Sequence, residues 1–196
     1  MLKKFLVLGV LLGSAAAFAQ VKPSSVGGNA TLWVGGEASY FDPNNSKIAV
    51  FDPALLGSSA RILGPGVFFD FNPTNKWGVE GEARWLRYNG PSGETHSDYL
   101  GGVKYRVLRW RQFSLDAKFL AGGIWINYPS NIGSGSYLAY VPGGFVDYRL
   151  SRHFAVRGDF EYKIIPSAPG LYPDESNGLH PFGVSIGIAY RLLGQH

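Results

Sequence analysis

Apolar and polar residues alternate with a period of two in eight segments of this chain, and no other feature limits the fold so strongly. The segments are Thr31–Phe41, Ile62–Phe71, Trp77–Tyr88, Asp98–Leu108, Phe113–Ile124, Tyr137–Arg149, Phe154–Ile164 and Phe182–Leu192. The seventh is the sharpest, with Phe154, Val156, Phe160, Tyr162 and Ile164 opposite Arg157, Asp159, Glu161 and Lys163. Pro142 interrupts the sixth and leaves its phase open. Successive strand side chains point to opposite faces, so each segment reads as a strand with one apolar and one polar side. At roughly 10 to 13 residues the segments exceed an ordinary strand of about five or six and suit a tilted crossing of a bilayer, which takes about 9 to 11.

The links between segments sort by length. Asn72–Lys76, Arg109–Gln112 and Leu150–Arg152 are tight, whereas Asp42–Arg61, Asn89–Ser97, Asn127–Ser136 and Ile165–Pro181 are longer and rich in Gly, Pro, Ser and Asn. Short and long links alternate without exception. A transmembrane barrel has this asymmetry, with short periplasmic turns and longer outer loops. In hydrocarbon every backbone polar group needs a partner, so the last strand must pair with the first.

Alternation alone does not say which face points inward. A soluble eight-stranded calyx would line its cavity with the apolar face. Aromatic rings near segment ends, at Tyr40, Phe71, Trp77, Phe113, Phe154 and Tyr190, instead suit the interfacial girdles of a lipid-facing wall. The polar face mixes small residues with charges of both signs. Glu37, Asp70, Glu80, Glu82, Asp98, Asp116, Asp159 and Glu161 are its acids; Arg84, Lys104, Arg106, Lys118, Arg157, Lys163 and Arg191 are its bases. Near balance lets such groups pair inside a barrel, which buried charge of one sign would not. The reading is therefore an all-β, eight-stranded antiparallel up-and-down transmembrane β-barrel with a charge network in a filled lumen.

The N-terminus fits export. Lys3 and Lys4 precede the apolar run Phe5–Leu12, and Ala17-Phe18-Ala19 is an A-x-A cleavage signal before Gln20. Residues 1–19 are expected to be a secretory signal peptide and residues 20–196 one barrel domain. A formal net charge of +4 is too small to suggest a nucleic-acid partner, and the absence of cysteine removes disulfide and thiolate chemistry.

With the leader through Ala19, the eight segments from Thr31 to Leu192 and the stretch Tyr148-Arg-Leu-Ser-Arg-His-Phe-Ala-Val-Arg-Gly-Asp-Phe-Glu-Tyr162, the chain resembles the small outer-membrane β-barrel proteins of Gram-negative bacteria, the group of the OmpA-like transmembrane domain and the OmpX-like barrels. The resemblance implies an outer-membrane location, surrounding lipid as a partner, passage through the barrel-assembly machinery and a monomeric state. Members commonly end in a terminal Phe, whereas this chain ends Leu193-Gly-Gln-His196, a departure from the usual assembly signal. No peptidoglycan-binding domain is expected to follow the barrel.

No catalytic, cofactor-binding or metal-binding residue is expected. Some similar barrels modify lipid A with a His, a Ser and an acid, which draws attention to His96 beside Ser97 and Asp98, and to His180. Adjacent strand residues face opposite ways, so His96 and Ser97 should not meet. His153 sits at a tight turn. The pairs Gly101-Gly102, Gly122-Gly123 and Gly143-Gly144 lie inside segments and read as sites of curvature or close packing. Asp42-Pro-Asn-Asn-Ser46 with Asp52 matches no Ca²⁺ loop and reads as a turn. The first outer loop, 42–61, carries Ile48, Val50, Phe51, Leu55 and Leu56; the last, 165–181, carries Ile165, Leu171, Tyr172 and Leu179. Such apolar excursions could meet an extracellular ligand or lipid headgroups, or simply extend the strands above the membrane. The expected role is thus structural or surface-binding, adhesin-like, with a closed lumen. The alternatives are a narrow porin-like channel for small solutes and a soluble periplasmic, lipocalin-like ligand-binding barrel.

Overall fold

The computed structural model describes residues 30–43, 61–87, 93–127, 133–168 and 178–194. They form eight strands: β1 (Thr31–Asp42), β2 (Ile62–Asn72), β3 (Trp77–Arg87), β4 (Thr95–Trp110), β5 (Phe113–Asn127), β6 (Ser134–Arg149), β7 (Phe154–Tyr162) and β8 (Phe182–Leu193). Each pairs antiparallel with its sequence neighbours, and β1 closes on β8 from Asp42↔Phe182 to Leu32↔Leu193, so the sheet is a closed up-and-down barrel without an edge. The leader, the first loop from Ile48 to Leu56, Leu171 with Tyr172, and the terminal Gln195-His196 lie outside the described residues.

The apolar face points outward. Phe154, Phe160 and Tyr162 are exposed, as are Val184, Ile186 and Ile188 along β8, while Arg157, Asp159 and Glu161 between them are buried. This excludes the calyx, whose apolar side would be inside. Two aromatic girdles bound the exposed band. At the short-turn end Trp77 meets Tyr105 (centroids 4.9 Å apart), Phe113 meets Tyr148 (4.7 Å) and Phe154 meets Tyr190 (5.2 Å). At the long-loop end Tyr99 packs edge-on between Trp85 and Trp125, and the Trp85 indole N–H donates to the Tyr99 hydroxyl at 3.2 Å. Trp77 and Trp85 lie on one strand, and at about 3.3 Å per residue with a tilt of about 40° the girdles stand roughly 20 Å apart. That height matches the roughly 25 Å apolar band of an outer-membrane barrel.

Several boundaries differ from the alternation pattern. β4, β5 and β6 run to 16, 15 and 16 residues and continue pairing at the long-loop end, at Thr95↔Asn127 and Asn127↔Ser134. β7 stops at Tyr162 instead of Ile164 because of Pro142. Tyr140 and Ile164 exchange both backbone bonds, so two residues on, Pro142 faces β7 with no N–H to give the Tyr162 carbonyl. The uncertain phase of β6 is settled by burial: Ala139, Val141 and Phe145 face inward, Leu138, Tyr140 and Val146 outward.

The glycine pairs allow strands to pack closely. A Cβ on Gly122 would stand 2.0 Å from the Tyr99 carbonyl oxygen, and one on Gly102 would stand 2.1 Å from that of Phe119. Neither site has room for a side chain, so β4 and β5 can approach there only through glycine.

Candidate functional site

Among the described residues the interior gathers charged groups of both signs most densely, and its layers follow from the register. In the central layer the Lys118 amine lies 2.5 Å from both Glu82 and Asp159, 2.6 Å from Glu161 and 3.4 Å from Glu80. Next toward the long loops, Arg84 donates from Nε to Glu37 (2.5 Å) and from Nη1 and Nη2 to the two Glu161 oxygens (2.5 and 3.1 Å), with Glu82 2.9 Å away. Toward the short turns, Arg157 holds Asp147 through Nε (2.8 Å) and Nη2 (3.0 Å), reaches Glu80 at 3.3 Å and pairs with Asp70. Lys104 lies 2.8 Å from Asp70. At the opposite, long-loop side, Lys163 pairs with Asp98.

Of the residues singled out from the sequence, Glu37, Asp70, Glu80, Glu82, Arg84, Asp98, Lys104, Asp116, Lys118, Arg157, Asp159, Glu161 and Lys163 are buried in the barrel. Arg106 and Arg191 are half-buried at the short-turn mouth, where Arg106 pairs with Asp116 at 3.3 Å and Arg191 lies over the Trp33 ring at 5.6 Å. The near balance expected of the set therefore does not hold in depth. Nine buried acids, counting Glu94, face five buried bases, and the other two bases of the set, Arg106 and Arg191, lie at the short-turn end.

Inward-facing aromatics join the charges, in phase with the polar residues of their strands. The Arg157 guanidinium sits between the rings of Phe145 (3.7 Å) and Phe68 (4.2 Å), and the Lys163 amine lies 3.9 Å from the Phe41 ring. Such cation–π contacts help to hold a charge taken from water. In the long-loop half of the interior Leu100, Leu120, Ile124, Ile126, Ala139 and Val141 form one apolar cluster, beside the buried pairs Lys163–Asp98 and His96–Glu94. Ile165 and Leu179, read from the sequence as exposed apolar loop residues, are buried in that cluster through mutual backbone bonds. They cap the interior and are not available at the surface. The mouth at the other end leads to a polar recess of only about 10 Å³, lined in part by Asp70, Lys104, Asp147 and Arg149.

The histidines occupy separate places. His96 is buried in β4 and lies 2.6 Å from Glu94, and Asp98 is engaged by Lys163. Ser97, of opposite phase, stands away from both. His153 stacks on Tyr190 and His180 on Tyr162. Glu80, Glu82 and Asp159 bring carboxylate oxygens within 4.8 Å of one another, but the Lys118 amine already supplies the cation among them.

No protein-family model matches the sequence, and no curated protein matches it. Solved structures do match its shape. Neisserial surface protein A superposes with a TM-score of 0.59 at 9% identity, covering 82% of this chain and 97% of that one. The attachment invasion locus protein Ail of Yersinia pestis, in complex with the heparin analogue sucrose octasulfate, gives 0.52 at 16% identity over 84% and 99%. The outer membrane protein OprG of Pseudomonas aeruginosa gives 0.52 at 13% identity over 85% and 97%. With its closed sheet, outward apolar band and girdles, the chain has the fold of the small outer-membrane β-barrel proteins of Gram-negative bacteria.

Proposed function

We propose that the protein is a sealed barrel of the outer membrane, a scaffold that holds its long loops at the cell surface, and that those loops bind a surface ligand. The observation that carries the reading is the filling of the interior. Ion pairs span the lumen from Glu37 on β1 to Arg84 on β3 and Glu161 on β7, and the cluster of Ile124, Ile126, Ile165 and Leu179 lies above them. A narrow solute channel would need an open path, whereas these ion pairs cross the lumen from wall to wall. Ail, an attachment protein by name, has the same barrel shape, so the scaffold is compatible with such a role. The lumenal charges serve in this reading to lock the wall, and residues 20–196 form the exported domain after removal of 1–19.

Expression in a Gram-negative host followed by membrane fractionation tests both parts. The protein should be recovered with the outer membrane and show a heat-dependent shift on an unheated gel. Replacing residues 44–60 and 169–177 with short Gly-Ser links should preserve that shift and reduce cell attachment to host matrix. Unchanged attachment would remove the adhesive role, and recovery in the soluble periplasm would remove the membrane reading altogether.

A further inference from the structure

The short-turn end of the barrel is basic beyond what its ion pairs use. The turns spanning 72–77, 110–113 and 150–154 contain Lys76, Arg111 and Arg152 and not one acid. Just inside them, half-buried Arg106, Arg149 and Arg191 line the mouth, with exposed Arg109 close to Arg149. Arg106 stands opposite Asp116, Arg109 opposite buried Ser114, Arg149 opposite Ala155 and Arg191 opposite Trp33. Arg106 is paired with Asp116 and donates from Nη1 to the Asn75 carbonyl at 3.4 Å. Arg109, Arg149 and Arg191 form no salt bridge among the described residues. Arg109, Arg106 and Arg191 all repel the Arg149 guanidinium; Asp147 opposes them but is already held by both Nε and Nη2 of Arg157.

A bulge helps to build this cluster. The register of β4 against β5 shifts between Arg106 and Leu108, so Arg109 falls opposite inward-facing Ser114. Strict alternation would have sent Arg109 outward, in phase with Val103 and Tyr105. Bulges at barrel rims often re-aim a side chain in this way. Gathering like charges in a partly desolvated mouth is unfavourable without an anion to share them, and the planar fork of arginine suits phosphate oxygens. The recess behind the cluster has room for about one water, so a ligand would rest at the mouth without entering the barrel.

We propose that Arg106, Arg109, Arg149 and Arg191 form a binding site for a phosphate-bearing anion, at the end of the barrel opposite the long loops. The phosphate can come from a small soluble compound or from a phospholipid headgroup of the adjoining leaflet. The site is independent of the loop-binding role, which concerns the other end of the molecule.

The test uses the full mature chain, folded first in zwitterionic micelles and titrated calorimetrically with inorganic pyrophosphate. A second arm places it in phosphatidylglycerol or phosphatidylcholine nanodiscs and counts retained lipids by native mass spectrometry. Wild type should bind pyrophosphate, retain phosphatidylglycerol over phosphatidylcholine, or do both, and rising salt should weaken the binding. Pyrophosphate alone would identify a soluble phosphate compound; selective lipid retention alone would identify a headgroup. The double variant Arg109→Gln/Arg149→Gln should weaken binding by about tenfold or more, whereas Lys76→Gln/Arg152→Gln on the outer turns should change it by less than about threefold. The heat-dependent gel shift verifies folding. If the double variant does not fold, Arg191→Gln decides, with a loss of about threefold or more expected. Failure of wild type to bind either probe, or undiminished binding by the folded arginine variant, would overturn the site.

Discussion

Replacing Lys118 with Met keeps a long side chain in the centre of the barrel and removes the charge that four carboxylates share. Asp159 has no other ion-pair partner among the described residues, so it would be left buried and unpaired, while Glu80, Glu82 and Glu161 would retain Arg157 or Arg84. At 2.5 Å and an effective dielectric of about 20, one such pair is worth roughly 6 to 7 kcal/mol before desolvation. Burying the amine offsets much of that, and breaking a buried pair costs about 3 to 5 kcal/mol net. Urea unfolding of the barrel folded into lipid vesicles reads the loss. With a slope of about 2 kcal/mol per molar, the midpoint should fall by about 1.5 to 2.5 M. Neutralising the orphan in Lys118→Met/Asp159→Asn should recover about 1 to 3 kcal/mol. A midpoint shift worth less than about 1 kcal/mol in the single variant, or no recovery in the double, would refute the reasoning.

Depth on the lipid face gives a second expectation: Ile186→Arg, in the middle of the exposed band, should cost about 2 to 4 kcal/mol, and Leu192→Arg near the short-turn end about 0 to 1, by the same unfolding assay. Gly122→Val should prevent the heat-dependent gel shift, because its Cβ would collide with the Tyr99 carbonyl between paired strands. Leu120→Ala, at a fully buried position of the apolar cluster, should lower stability by about 2 to 5 kcal/mol. Arg111 turns between β4 and β5 at φ 52°, a left-handed conformation, so Arg111→Gly should be neutral or stabilising by up to about 1 kcal/mol.

Much of the wall was legible because lipid imposes a simple rule on it. Strand number, order and outward phase follow from the alternation, since a side chain of the wrong kind on that face is costly at every position from Leu63 to Leu192. The interior obeys a weaker rule. A lumenal position accepts an acid, a base, a glycine or an apolar ring provided its cross-barrel neighbours fit, and those neighbours are set by register and barrel closure. Phe68 and Phe145 could not be placed around Arg157 from local pattern, nor could Ile165 and Leu179 be assigned to the cap. Ser97 and His96 were read as loop because the strand extension from Thr95 rests on pairing with β5, not on alternation. Arg109 was read as part of a tight link, yet it pairs with Ser114 beyond a bulge. A bulge reverses phase, and only the partner strand reveals it.

Single-channel recording after reconstitution into planar bilayers tests the sealed interior most directly. With Lys118, Arg84 and Arg157 pinned across the lumen and the apolar cluster above them, the account predicts a silent membrane at moderate voltage. Regular unit conductance steps from protein shown by its gel mobility to be folded would contradict it.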